Sequence, residues 1–217
     1  MGIATGGRRG RPATASREEV FEAAREQYVS GERVDLTVLA RDLGLGRATI
    51  YRWFGSRERL LGEVIADELR ALIARKRRQV RRRGGQGLLE VFDRINRALS
   101  RSAALRRFLD QERAGAMRLL TSGDGLVQPS AVACLTELID TEVAAGHYQP
   151  TADPETLAYA IVRLAEAFLY NDAITGIRGD HSRLREVEAA LLGIPLDSRG
   201  RGRPSGRARP SRRSTGS

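Results

Sequence analysis

Apolar residues recur along this chain at intervals of three and four, the spacing of helices that bury one face. Val20, Phe21, Ala24 and Tyr28 form the first such stripe. Ser16-Arg17-Glu18-Glu19 ahead of it reads as a capping box, with Ser at N-cap and Glu at N3. That helix is expected to run to about Ser30, before Gly31. Asp35 caps a short second helix carrying Leu36, Leu39, Ala40 and Leu43, and Gly44, whose missing Cβ permits a left-handed turn, stops it. A third short helix restarts at Arg47 and closes at Trp53-Phe54-Gly55. Ser56 then caps a long helix with Leu60, Leu61, Val64, Ile65, Leu69, Leu72 and Ile73 on its apolar side. Its pattern predicts continuation through "RKRRQVRRR", Arg75 to Arg83, as far as Gly84-Gly85.

Farther along, Leu88, Phe92, Ile95 and Leu99 mark another amphipathic helix, and a more broken helical stretch covers Ala103 to Leu120. Pro129 to Ala145 is helical through Val132, Leu135, Leu138, Ile139 and Val143. Asp153-Pro154 places an N-cap before a proline at N1, opening a long helix to about Thr175, and a last helix covers His181 to Leu192. No segment alternates as a strand between hairpin turns, so the expected fold is all-α with about nine helices. The expected organisation is a basic disordered arm at 1–15, a three-helix unit at 16–60, a larger helical domain at 61–197 and an Arg-rich disordered tail at 198–217.

Charge sharpens this division. Three arginines and no acid in residues 1–15, and seven arginines and no acid in 198–217, account for the whole formal excess of +10. The segment between them balances 27 basic against 27 acidic residues. Residues 1–83 carry 19 basic side chains against 11 acidic ones, whereas 84–197 carry 11 against 16. The N-terminal part is thus suited to a polyanion and the larger part is not. The run Arg75 to Arg83 reads either as a backbone-phosphate contact or, if its helix points away from DNA, as a solvated turn.

Candidate catalysis finds no seat in the sequence. Lys76, the only lysine, follows no P-loop glycine pattern, and His147 and His181 lie near no second ligand at metal spacing. Cys134 sits in the helical run "AVACLTELI", where it reads as a small buried hydrophobe. The expectation is a non-enzyme without metal or cofactor. One cysteine, no apolar leader and no bilayer-length apolar run lead to the expectation of a soluble cytoplasmic protein without a membrane partner.

Residues 34–57, "VDLTVLARDLGLGRATIYRWFGSR", supply what a helix-turn-helix needs. Ala40 is small enough for close helix crossing, Gly44 suits the turn, and Arg47-Ala48-Thr49 opens a helix with side chains able to meet base edges. Arg47 and Arg52 can reach guanine edges or phosphates, Thr49 offers a hydroxyl and a methyl, and Tyr51 can donate to a phosphate. This stretch resembles the TetR family of bacterial transcriptional regulators. "LARDLGLGRATIYRWFGSRERLL" follows the order of that family's second to fourth helices, with "IYRWF" where the family has an "LYxxF" pattern and "SRE" where it commonly has "SKE". Gly46 stands where the family usually has Ser, and Arg57 where it has a phosphate-contacting Lys. The resemblance implies double-stranded DNA as partner and Thr37, Arg47, Ala48, Thr49, Tyr51, Arg52 and Arg57 as contacts, with Ile50, Trp53 and Phe54 in the core. Arg9 and Arg11, in the "RGRP" before the first helix, are expected to lie in the minor groove beside the operator. A second copy, Arg201-Gly202-Arg203-Pro204, resembles an AT-hook core and reads either as a DNA contact or as a solubilising tail.

The resemblance further implies a homodimer in which the last two long helices form a four-helix bundle, spacing two recognition helices one DNA turn, ~34 to 36 Å, apart. It also implies an unidentified small-molecule effector, bound between the long fourth helix and the helices from Leu88 onward. Phe92, Ile95, Leu99, Met117, Leu120, Leu135, Ile139 and Phe168 are placed either to line such a pocket or to pack as core. Tyr159, Arg163, Glu166 and Tyr170 fall at i, i+4, i+7 and i+11, with Asn171 alongside, a stripe suited to a polar ligand or a subunit interface if buried. The overall sequence also resembles actinobacterial regulators of the subgroup linked to lactone signal breakdown, which assigns no ligand. The functional expectation is a ligand-responsive repressor that binds a palindromic operator; the alternative is a sequence-independent architectural DNA binder dominated by its basic tails.

Overall fold

The computed structural model describes residues 15–175 and 181–195, with the backbone alone for 171–175. Among the described residues the fold is all-α, with ten helices. Helix α1 (Arg17–Ser30) opens on the expected capping box: Ser16 Oγ accepts from the Glu19 N–H, and the Ser16 N–H donates to Glu19 Oε2 at 2.6 Å. Asp35 caps α2 (Leu36–Asp42) by accepting from the Thr37 and Val38 N–H groups, which hold its carboxyl below the usual range. Gly44 is left-handed, φ 64°, and turns the chain into α3 (Arg47–Phe54). Gly46 at the N-cap of α3 offers no side-chain acceptor, as its substitution for Ser implies.

The long helix α4 (Arg57–Arg78) is capped by Ser56 Oγ and passes without interruption through both apolar cores of the molecule. Leu60, Leu61, Val64 and Ile65 join α1–α3, α6 and α7 in the first core; Leu72 and Ile73 join α5, α8, α9 and α10 in the second.

Three element boundaries correct the sequence expectation. Helix α4 does not run to Arg83; it ends at Arg78, and α5 (Gly84–Arg101) starts four residues before Leu88. Burial of Val80 in the second core pulls the chain off the helical path, and Arg77 then donates to the Val80 carbonyl at 3.2 Å. The chain re-enters at left-handed Gly84, φ 63°, whose N–H donates to the buried Glu142 carboxylate at 2.7 Å. Arg77 and Arg83 reach the same carboxylate, so the "RKRRQVRRR" run is partly spent on an internal acid. The broken stretch resolves into two helices, α6 (Ala103–Gln111) and α7 (Arg113–Thr121), divided at Glu112, which raises the count from the expected nine. Finally, α8 (Val127–Ala144) starts before Pro129, because a proline in the first helical turn gives up an N–H that has no intrahelical partner there.

Helix α9 (Pro154–Thr175) packs along α8 and against α5, and α10 (His181–Leu191) lies on α5 and α9. The basic segments carrying Arg9, Arg11 and the second "RGRP", and the side chain of Asn171, lie outside the described residues.

Candidate functional site

Helices α2 and α3 present the first candidate surface. Burial of Leu36, Leu39, Ala40, Ile50 and Phe54 in the first core fixes which sides of these two helices face out. Thr37, Arg47, Ala48, Tyr51 and Arg52 are exposed there, and Thr49 is half-buried. The Arg47 guanidinium lies over the Tyr51 ring, 5.9 Å from its centroid, so two candidate contact side chains stand together one helical turn apart. Trp53 is half-buried against the core rather than within it, and Arg17 covers Phe54 at 4.4 Å.

Arg57 departs from this group. It was expected at a phosphate; here its guanidinium is turned into the seam between the N-terminal unit and α6–α7. Nη1 and Nη2 donate to the two carboxylate oxygens of Glu112 at 2.8 and 2.5 Å, and Nε donates to the Val34 carbonyl at 2.6 Å. Both side chains of the pair are four-fifths buried. Hydrogen bonding from Arg57 outweighs burial and holds the Glu112 carboxyl below the usual range, with Arg33 contributing from outside. The same seam is stitched by Arg107, which donates to the Ser30 carbonyl at 2.7 Å. Sequence spacing alone could not pair residues 57 and 112, although an acid between two helical stripes is a signal worth noting.

The second feature is a cavity of about 60 Å³ among α4, α5, α8, α9 and α10. Of the residues expected to line a pocket, Phe92, Ile95, Leu99, Leu120, Leu135, Glu166 and Tyr170 do so. Met117 does not; it packs on the first core. Ile139 is fully buried in the second core and Phe168 is half-buried on α9, and neither lines the cavity. Arg163 is held at the surface, where it donates to Glu166 at 2.8 Å and to the Thr121 carbonyl. The expected stripe therefore divides: Tyr159 is exposed, Glu166 and Tyr170 are inward.

Two polar groups interrupt the apolar wall. At one, Gln128 Nε2 donates to both Glu166 oxygens, at 3.0 and 3.2 Å, and to the Thr121 carbonyl. Burial raises the Glu166 carboxyl above the usual range against the pull of Gln128 and Arg163, and burial likewise raises Tyr170. At the other, Asn96 Nδ2 donates to Glu188 Oε1 at 2.8 Å. Among the described residues Glu188 Oε2 is left buried without a partner, and the carboxyl is pushed up to about 7, chiefly by burial. Asn96, Gln128 and Glu188 were not anticipated. The signal was available: Asn96 is four residues from Phe92, and Glu188 is four from both Leu184 and Leu192, so both polar residues interrupt apolar stripes.

Among the described residues no group of three or more metal-ligating side chains converges, and no helix is long and apolar enough to cross a membrane. Cys134 is half-buried, with burial raising its thiol.

Comparison with known proteins gives this architecture a context. The family model described as "Tetracyclin repressor-like, C-terminal domain" matches residues 83–193. No curated protein matches the sequence. Among solved structures, the transcriptional repressor QsdR from the TetR family of R. erythropolis is 29% identical, with a TM-score of 0.78 over 83% of this chain and 96% of that one. The TetR family repressor AlkX from Dietzia sp. strain DQ12-45-1b, implicated in biodegradation of n-alkanes, is 23% identical, with a TM-score of 0.56 over 86% of this chain and 98% of that one. The fatty acid degradation regulator FadR from Bacillus halodurans shares the fold at 17% identity, a TM-score of 0.52 and coverage of 84% and 100%.

Proposed function

This chain belongs to the TetR family, and from that premise we propose that it is a homodimeric repressor that binds a palindromic operator and releases it when a small molecule enters the α4–α5–α8–α9–α10 cavity. The observation that carries the proposal is the seam described above. The helix-turn-helix and the cavity are joined by the continuous α4, and the Arg57–Glu112 pair fastens the helix-turn-helix to α6–α7, whose Leu120 lines the cavity, so a change in cavity occupancy has a path to the recognition helix. Exposed Thr37, Arg47, Ala48, Tyr51 and Arg52, with Thr49, are the proposed contacts to DNA, and Arg9 and Arg11 the proposed minor-groove contacts. The repressor sign is supported by QsdR, which is itself a transcriptional repressor. Tyr159 on α9 and Val187 on α10, 51% and 41% exposed, are large apolar side chains on the helices assigned to the dimer face, which supports a partner there.

The test is a titration of the protein onto DNA flanking its own gene and onto shuffled DNA at several salt concentrations, with the full chain and with residues 16–197. Sequence-specific recognition predicts a preference for the flanking DNA of roughly a thousand-fold or more. The shorter chain should keep that preference, bind more weakly and show a shallower salt slope, because it lacks ten of the arginines. Loss of all discrimination, with binding carried by the tails, would overturn the proposal.

A further inference from the structure

Glu188 is the one buried side-chain oxygen site without a partner among the described residues, and it lies in the wall of the cavity. Its carboxyl is fully enclosed, with 0% exposure, and Asn96 satisfies only Oε1. An enclosed carboxyl oxygen left without a hydrogen bond is unfavourable, because it has given up water and gained nothing. A group of this kind requires a reason to be kept, and an occupant of the cavity that donates to it is one. Apart from Tyr170 and the Gln128–Glu166 pair, which is already hydrogen-bonded, the cavity is apolar: Phe92, Ile95, Leu135 and Ile161 supply dispersion and no hydrogen bonds.

We infer that Glu188, oriented by Asn96, is the recognition group for an uncharged effector with an apolar body and a single O–H or N–H donor, which donates to Oε2. The inference rests on the reading of this cavity as the effector site and adds to it the chemistry of the effector. An ammonium is disfavoured, since Oε2 takes one of its three donors and the other carboxyl in the wall, Glu166, already accepts from Gln128 and Arg163. An apolar molecule without a donor leaves Oε2 as it is found here and gains only from burial. Asn96 is a positioning residue: its amide fixes the rotation of the carboxyl so that the second oxygen is the one left free.

The experiment uses two isomeric probes, 1-pentanol and butyl methyl ether, which share composition and nearly share volume but differ in possessing a donor. Binding to the full chain is followed by NMR titration at pH 8, together with Glu188→Leu, which replaces the carboxyl with an apolar group of similar size. The expected result is an alcohol preference of about tenfold in the parent protein, the size expected from one buried hydrogen bond to a charged group. That preference disappears in Glu188→Leu through loss of alcohol affinity, while the ether binds the variant at least as well as the parent. Retained ether binding also reports that the cavity of the variant is intact. Equal affinity of the parent for the two isomers, or an unchanged preference in the variant, overturns the assignment of Glu188. If neither isomer binds the parent protein while specific DNA binding persists, the recognition inference fails and the DNA-binding reading stands. If DNA discrimination is absent while the alcohol preference is present, the reverse holds.

Discussion

At the scale of single residues, the molecule concentrates its unusual chemistry in carboxylates. Glu142 ionises readily: burial opposes its charge, but the Gly84 N–H, Arg77 and Arg83 overcome it and hold the carboxyl below its usual range. Glu188 goes the other way, raised to about 7 by burial, with Asn96 opposing, Asp93 adding and Arg185 opposing. The folded state therefore keeps a proton that the unfolded chain has released between the ordinary value of 4.5 and about 7. Stability falls as pH rises through that window; the penalty is absent below it and complete above it. Glu188→Gln removes the titration. Urea unfolding should show the variant gaining on the parent between pH 5 and pH 8, by up to about 3 kcal/mol at the upper end. An equal difference at both values would mean that Glu188 is solvated and ionised in the fold.

At the scale of elements, the α4–α5 connection depends on one backbone conformation. A Cβ at Gly84 would stand 2.3 Å from the His147 carbonyl oxygen, and φ is +63°. Gly84→Ala should lower stability by about 2 to 5 kcal/mol, combining left-handed strain with a clash against backbone that cannot swing aside. A loss of unfolding free energy smaller than about 1 kcal/mol, measured by urea unfolding, would show that the turn relaxes. The sequence announced the caps and stripes of most helices because those signals are local: Ser16, Asp35 and Ser56 each face an N–H two or three residues on. It misplaced the end of α4 because the pull on Val80 comes from a core assembled by α5 and α8–α10, far along the chain. It read Ala103 to Leu120 as one broken helix for a related reason, since Glu112 at the break is engaged by Arg57 and Arg33. In the candidate sites, the exposed positions of α2 and α3 were legible from motif order. The fate of Arg57 was not, because nothing nearby in sequence distinguishes a phosphate contact from an internal ion pair.

At the scale of the whole molecule, two apolar cores are bridged by α4, and within the first of them the polar seam at Glu112 ties α6–α7 to the helix-turn-helix. The seam is a test of how firmly α6–α7 hold the helix-turn-helix. A double-mutant cycle with Arg57→Ala and Glu112→Ala should give a coupling of about 1.5 to 3 kcal/mol in urea unfolding, as for a bidentate, largely buried pair. Arg33→Ala, at a side chain 65% exposed, should cost under about 0.5 kcal/mol. A coupling below about 0.5 kcal/mol for the first pair would mean that solvent screens it. The continuity of α4 also bears on anyone who would graft this sensing half onto another reader of DNA. With a loop at the junction, a splice could be placed loosely. Here it must fall inside a helix, where each residue added or removed swings everything downstream by about 100° and slides it 1.5 Å. Only chimeras that conserve the helical phase will leave Glu112 facing its arginine, so interchange among such proteins is restricted to partners whose fourth helices match in length.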